Sequence, residues 1–231
     1  IFNVMWRVCG VGVMAAFLLL LTLPLAYASA PAPLTDWEYR WGDAPLDAEA
    51  PWQPIAFPSN PPGRNGQQAV WFKTVVPAGE WRDPVLHITS INLVGQVYLD
   101  GTLIYEHGDM ANPRFIGWPW HLVALPEGAA GKTLALRIHS DYTSIGLWGD
   151  VEITDRIDAL QGMLQASVQD LAVSAFSLLL ATLAAIFAMI GPERRGFFAI
   201  ALFAFSSGLM LLAETPVRQL LADAPLIWDI L

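Results

Sequence analysis

Residues 171–213 decide the fold, and they read LAVSAFSLLLATLAAIFAMI, then GPERRG, then FFAIALFAFSSGLMLLA. As helices, the two apolar runs reach roughly 30 Å and 25 Å, which is about the hydrocarbon thickness of a bilayer. Neither run holds a charge, whereas the short connection carries Arg194 and Arg195, and arginine in a short loop marks the cytoplasmic side. Two buried helices of a soluble domain, the alternative, would normally show a polar stripe. We therefore predict a transmembrane hairpin made of helix 171–190, cytoplasmic loop 191–196 and helix 197–213.

The composition separates a polar middle segment from apolar ends. The chain has 231 residues, is 55% hydrophobic and has a mean hydropathy of +0.45, and the apolar excess lies at the N-terminus and after residue 170. Residues 29–170 are long enough for one domain and carry 17 Asp and Glu against 8 Lys and Arg, a net charge of about −9. Nucleic acid is excluded as an expected partner because phosphate binding requires clustered basic residues. The only cysteine is Cys9, so the middle segment has no disulfide and no thiol nucleophile.

The N-terminus has the pattern of a signal sequence over residues 1–28. Arg7 supplies positive charge, residues 11–25 form an apolar core, and Ala26-Tyr27-Ala28 matches an A-x-A cleavage site. An uncleaved anchor helix is the alternative, and both interpretations place the following residues outside the cytoplasm. Residues 29–36, rich in proline and alanine, are interpreted as a flexible spacer.

Residues 37–155 have the pattern of an all-β domain. Trp37, Tyr39 and Trp41 alternate as one face of a strand would, and Asp100-Gly101 suits the tight I′ turn of a hairpin. Short alternating runs continue through the segment: AVWFKTVV, PVLHITSI, KTLALRIHS and IGLWGDVEI. Because no helical period interrupts these strands, we predict a jelly roll or sandwich.

Helical spacing begins after the predicted strands. Apolar residues recur at helical intervals over 156–170, so a connecting helix is expected to enter the membrane with no flexible linker. Such a helix could transmit a shift from the β domain into the bilayer. Ser206-Ser207-Gly208 lets another helix approach closely, which predicts packing against further helices or a second subunit. Residues 214–231 are amphipathic and are expected to lie outside and lead to a further membrane helix.

Two loops carry the residue types that small ligands need. Arg114, Trp118 and Trp120, followed by His121, combine a forked donor with flat apolar faces, a set suited to sugars or carboxylated ligands. The alternative is that Trp-Pro-Trp packs the loop onto the sandwich. A second loop has three further candidates for the same end of the domain: Asp141, Tyr142 and Trp148.

The sequence contains no motif that indicates catalysis. G-x-S-x-G, H-E-x-x-H and a phosphate-binding loop are all missing from it, so no enzymatic activity and no cofactor are expected within these residues. A metal site would need several histidines to converge, and His107 and His121, with Asp109, are the set that could form one. No metal is predicted, and His87 and His139 are expected to be surface or half-buried strand residues.

The strands VWFKTVV, VYLDGTLIYEHG, KTLALRIHS and GLWGDVEI, with the loop GWPWHLVALP, resemble the galactose-binding-like jelly roll. In family 2 glycoside hydrolases, the fold that this segment resembles occurs as the sugar-binding domain. It also occurs as the periplasmic domain of bacterial receptors that carry seven transmembrane helices and diverse intracellular signalling modules. The order of segments over 37–213 resembles the receptors, although only two membrane helices and no output module are found.

The resemblance to the receptors implies a sensory role in the bacterial inner membrane, with residues 29–170 in the periplasm. The missing output would be a histidine kinase, a diguanylate cyclase or a similar module. Expected partners are the membrane, a small ligand such as a carbohydrate, a periplasmic protein, further transmembrane helices of the same chain, and a second copy of the chain. The alternative is a membrane-tethered carbohydrate-binding or structural envelope module, and a third interpretation is a hydrolase subunit that would need a downstream catalytic barrel.

Overall fold

The computed structural model describes residues 31–221, which form a β sandwich followed by a helical hairpin. The strands are β1 (Ala32–Pro33), β2 (Trp37–Trp41), β3 (Gln53–Ile55), β4 (Ala69–Val75), β5 (Pro84–Ile91), β6 (Val94–Leu99), β7 (Thr102–His107), β8 (His121–Ala124), β9 (Thr133–His139) and β10 (Leu147–Asp155). The helices are α1 (Arg156–Ile190), α2 (Arg194–Glu214) and α3 (Arg218–Leu221). The predictions that fall on residues 1–28 and 222–231, including the signal sequence, lie outside the described residues.

The strands form two antiparallel sheets, which confirms the predicted all-β sandwich. One sheet has the order β1-β10-β5-β8 and the other β3-β2-β4-β9-β6-β7. Alternation places one side of each strand in the core between the sheets, as shown by Leu134, Leu136 and Ile138 of β9, which are fully buried. At the β6–β7 turn Asp100 and Gly101 have φ values of 47° and 79°, so the predicted I′ turn is present.

The predicted flexible spacer differs from the structure at its described end. Ala32 and Pro33 form β1 and pair with Ile153 and Glu152 of β10. Leu34 is buried in the core, and its carbonyl accepts a hydrogen bond from Trp37 Nε1 at 3.1 Å. Burial of the leucine side chain holds this segment, and proline is tolerated because β1 is an edge strand that needs fewer N–H donors.

The helices are longer than predicted. α1 is continuous over 35 residues, so the connecting helix 156–170 and the apolar run 171–190 are one element, since no proline interrupts them. The expected loop 191–196 is shorter because α2 begins at Arg194, and α2 ends at Glu214. Both α1 and α2 are long and apolar enough to cross a membrane.

The two long helices meet through small side chains. Apart from Met163 of α1, the buried positions on both helices are small residues: Ala159, Ser167, Ser174, Ala181 and Ala184 of α1, and Ala201, Ala204, Gly208 and Ala213 of α2. Ser174 Oγ donates a 2.6 Å hydrogen bond to the carbonyl of Gly208. A helix therefore approaches closely at Gly208, and that helix is α1, whereas packing against further helices or a second subunit remains a prediction.

Candidate ligand sites and the sandwich–helix junction

The first predicted ligand loop divides into exposed and packed residues. Arg114 is exposed, and Trp118 is 53% exposed with its ring edge-on to Phe115 at 5.0 Å between centroids. Trp120 instead lies over the sheet, with its ring centroid 4.8 Å from that of His87. Trp120 thus packs the loop onto the sandwich, as the alternative interpretation of the sequence had it. Ligand binding by Arg114 and Trp118 remains a prediction.

The second predicted loop is anchored from a different part of the chain. The Arg64 guanidinium donates hydrogen bonds to three carbonyls of the loop, those of Ser140 at 2.7 Å, Tyr142 at 2.7 Å and Thr143 at 2.9 Å. Asp141 and Tyr142 are exposed at the tip of this loop. Trp148 was expected in this loop but lies in β10, where it pairs with Ser90 of β5. It is exposed, and its Nε1 donates to Asn92 Oδ1 at 2.6 Å. The loop is held rigidly by Arg64, and the ligand-binding role of the three candidates remains a prediction.

His107 and His121 lie together between the edges of the two sheets. Their ring centroids are 4.6 Å apart, and Tyr105 Oη lies 2.8 Å from His121 Nδ1. Burial lowers the pKa of His107 to about 4. Burial, followed by the proximity of His107 and His87, holds the pKa of His121 well below its ordinary value. Both rings are therefore neutral near pH 7, and within residues 31–221 no three acidic, His or Cys side chains form a metal-binding group.

His87 corrects one expectation from the sequence. A surface or half-buried position was predicted, yet the residue is only 5% exposed. The physical reason is that α1 and Trp120 cover the outer face of β5, a contact that local periodicity cannot indicate. His139 is half-buried, as predicted.

An open groove of about 840 Å³ on the outer face of the six-stranded sheet is a candidate site that the sequence did not indicate. Trp71 of β4 and Tyr98 of β6 lie beside each other with ring centroids 5.3 Å apart. Arg137 of β9 donates twice to the Asp43 carboxylate, at 2.6 Å and 2.5 Å. These hydrogen bonds raise the pKa of Arg137 above its ordinary value, so the guanidinium stays charged. The size of the groove and its mixture of aromatic and polar side chains suit a small ligand.

The start of α1 is fastened to the sandwich. Asp155 is the last residue of β10, and its Oδ1 accepts hydrogen bonds from the backbone N–H groups of Arg82 at 2.7 Å and Asp83 at 2.8 Å. Arg156, the first residue of α1, pairs with Asp83 through Nε and Oδ2 at 2.7 Å. Strand therefore passes into helix with no intervening linker.

The segment after α2 returns to the sandwich. Its backbone binds α1, where the Val217 N–H donates to Ser167 Oγ at 3.2 Å. Gln219 holds the backbone of Trp120 on both sides, accepting from its N–H at 2.8 Å and donating to its carbonyl at 3.2 Å. Both ends of the helical hairpin are thus in contact with the β domain.

A second groove, of about 390 Å³, lies between the four-stranded sheet and the first turns of α1. Its walls come from both elements. Its lining residues are Pro31, His87, Trp120, Asp150, Glu152, Thr154, Asp158, Ala159, Gln161, Gly162, Gln165 and Ala166.

Comparison with known proteins finds similarity among solved structures alone. No protein-family model matches the sequence, and no curated protein matches it. A β-glucuronidase from Parabacteroides merdae, with glycerol in its active site, is 18% identical, with a TM-score of 0.42 over 55% of this chain and 22% of that chain. A GH2 β-galacturonidase from Eisenbergiella tayi bound to galacturonate is 12% identical, with a TM-score of 0.43 over 58% of this chain and 26% of that chain. This chain thus spans about a quarter of the length of these solved proteins.

Proposed function

We propose that this chain is the sensory part of a bacterial inner-membrane receptor, whose cytoplasmic output is a histidine kinase or diguanylate cyclase module outside these residues. The β sandwich binds a small ligand or a partner in the periplasm, and the helices carry the response across the membrane. The chain itself has no catalytic role in this proposal. Arg194 and Arg195 lie at the hairpin tip and favour the cytoplasmic side, which supports this orientation.

The observation that carries the proposal is the double attachment of the sandwich to the helical hairpin. Asp155 and Arg156 fasten α1 to the β4–β5 connection, and Gln219 fastens the end of the hairpin to Trp120. A protein that only tethers a domain to a membrane has no need for such contacts, and a flexible linker would serve it better. A ligand can shift the helices only if it binds two arrangements of this junction with unequal affinity.

One observation favours the second candidate, a membrane-tethered carbohydrate-binding or structural module of the envelope. The large groove with Trp71, Tyr98 and Arg137 lies on the six-stranded sheet, whereas α1 covers the other sheet. A ligand there contacts no helix, so binding at that groove alone would suit a tether.

Distance measurement in nanodiscs separates the two candidates. The full chain, with Cys9→Ser, carries spin labels introduced by Ala111→Cys in the sandwich and Glu193→Cys at the hairpin tip, both exposed positions. A library of sugars, amines and organic acids is screened for compounds that raise the unfolding temperature. For a receptor, such a compound also shifts the distribution of distances between the labels. A compound that stabilises the chain and leaves this distribution unchanged would support the tether.

The junction supplies a matched pair of variants for this experiment. Asp155→Ala removes the acceptor of two backbone N–H groups and thereby loosens the joint between β10 and α1. For a receptor, we expect this variant to bind the ligand but to lose the shift in label distances. Asp155→Asn keeps an oxygen at the same place and preserves the shift. Equal shifts in both variants would show that this joint does not transmit the signal.

A further inference from the structure

The groove between the four-stranded sheet and α1 has a one-sided charge. Asp150 and Glu152 of β10 and Asp158 of α1 line it, and its lining within the described residues includes no lysine or arginine. The potential inside such a cleft favours cations because field lines are focused between low-dielectric walls. The acidic balance of the whole chain, −9, adds to this attraction.

His87 provides a second and independent feature of the same groove. Its side chain is more than nine-tenths buried, its Nδ1 lies 3.5 Å from Glu152 Oε1, and its Nε2 has no hydrogen-bond partner in the described chain. In the tautomer whose proton is on Nδ1, facing Glu152, Nε2 carries a lone pair. A buried acceptor without a partner is unfavourable, and a ligand N–H would satisfy it.

Trp120 adds an aromatic surface to these acceptors. Its ring lies 4.8 Å from the His87 ring and lines the groove beside the carboxylates. The face of a tryptophan attracts ammonium and guanidinium groups. Carboxylates, a histidine lone pair and a π face together complement a ligand that is positively charged and rich in donors.

We propose that this groove binds a small organic cation with N–H donors, an alkyl ammonium or guanidinium compound, at the joint between the sandwich and α1. A volume of about 390 Å³ accommodates such a molecule. The inference deepens the proposed sensory function and rests on it for its biological meaning. Since Glu152 lies on the sheet and Asp158 on the helix, a bound cation contacts both elements. Its affinity therefore depends on how the sheet and α1 are arranged, which is the condition for a signal.

Binding is tested on the full chain in nanodiscs by isothermal titration with putrescine and agmatine as probes. Butane-1,4-diol, which lacks the charge, and tetramethylammonium, which lacks N–H donors, serve as ligand controls. We expect putrescine or agmatine to bind, the diol to show no binding, and tetramethylammonium to bind at least tenfold more weakly. Glu152→Gln should weaken amine binding about tenfold or more, because a charged acceptor becomes a neutral one.

Two variants keep the test decisive if Glu152→Gln disturbs folding. Asp150 is exposed at the rim of the groove, so Asp150→Asn should weaken amine binding while the unfolding temperature stays the same. Asp47→Asn changes a carboxylate that lines the other groove and should leave the affinity unchanged. Absence of amine binding by the folded chain, or equal affinities in all three variants and the wild type, would overturn the inference.

The spin-label pair Ala111→Cys and Glu193→Cys separates this inference from the receptor proposal. If putrescine binds through Glu152 and the label distances stay constant, the cation site is supported and the receptor proposal fails. If a different compound shifts the distances while neither amine binds, the cation site alone fails.

Discussion

At the scale of single residues, the His107–His121 pair makes the sandwich sensitive to acid. Burial lowers the pKa of His107 from 6.5 to about 4. The unfolded chain therefore binds a proton below pH 6.5, whereas the folded chain takes it up only near pH 4. The free energy of unfolding is therefore highest above pH 6.5 and decreases as the pH falls from 6.5 to about 4. Since one pKa unit corresponds to about 1.4 kcal/mol, acidification to pH 4 should cost on the order of 3 kcal/mol from His107.

Chemical unfolding followed by tryptophan fluorescence between pH 7.5 and pH 4.5 measures this loss. His107→Leu removes the titrating ring and should reduce the acid sensitivity, whereas His139→Leu, on the half-buried end of β9, should retain it. An unchanged pH dependence in His107→Leu would show that other groups cause the acid loss.

The same residues show where sequence reasoning ends. His107 and His121 flank one loop in the sequence, so their approach could be anticipated. The burial of His87 could not, because α1 covers it from more than 70 positions further along the chain. Trp71, Tyr98 and Arg137 were also missed, since they lie on β4, β6 and β9, whose adjacency in the sheet does not follow chain order. The side chain of each points to the outer face of its strand, as that of any surface residue would, so nothing in the local sequence distinguishes it.

At the scale of elements, the strands and the hairpin were predictable because each has a local signal. β5 has the bounds of the alternating run PVLHITSI, and the I′ turn follows from Asp100-Gly101. The ends of the helices were predicted less accurately. The predicted loop included Arg194, Arg195 and Gly196, which belong to α2, because these residues carry no signal that ends a helix. The short β1 has only two residues and no period, and its pairing depends on β10.

Helix packing gives an element-scale prediction at Gly208. A Cβ at this position would lie 3.0 Å from Leu178 Cγ and 3.1 Å from the Ser174 carbonyl oxygen, so Gly208→Val forces α1 and α2 apart. Overpacking of this kind costs about 1–3 kcal/mol. We expect a lower unfolding temperature in nanodiscs, measured by the loss of helical circular dichroism on heating.

Gly196→Val is the matched control, because Gly196 lies on the same helix and a Cβ there meets nothing within 4 Å. Its unfolding temperature should remain close to that of the wild type. Equal destabilisation by the two variants would indicate that valine destabilises the helix itself. The close contact between α1 and α2 at Gly208 would then contribute less to stability than the structure implies.

At the scale of the whole molecule, charge and hydropathy divide the chain into two sides. Residues 29–170 are acidic, the remainder of α1 and most of α2 are apolar, and Arg194 and Arg195 form the start of α2 at the hairpin tip. Retention of arginine on the cytoplasmic side sets the orientation of short loops, whereas acidic residues contribute little to it. If the helices span a membrane, the sandwich and the hairpin tip should therefore lie on opposite sides of it.

Single cysteines test this orientation in cells whose outer membrane has been permeabilised. In a Cys9→Ser background, Glu127→Cys lies in an exposed turn of the sandwich and Glu193→Cys lies at the exposed tip. A membrane-impermeant maleimide should label Glu127→Cys in intact spheroplasts and Glu193→Cys only after lysis. Labelling of both before lysis would mean that the hairpin does not cross the bilayer, and the reverse pattern would place the sandwich in the cytoplasm. The first result would remove transmission across the bilayer from the receptor proposal, and the second would remove the periplasmic ligand.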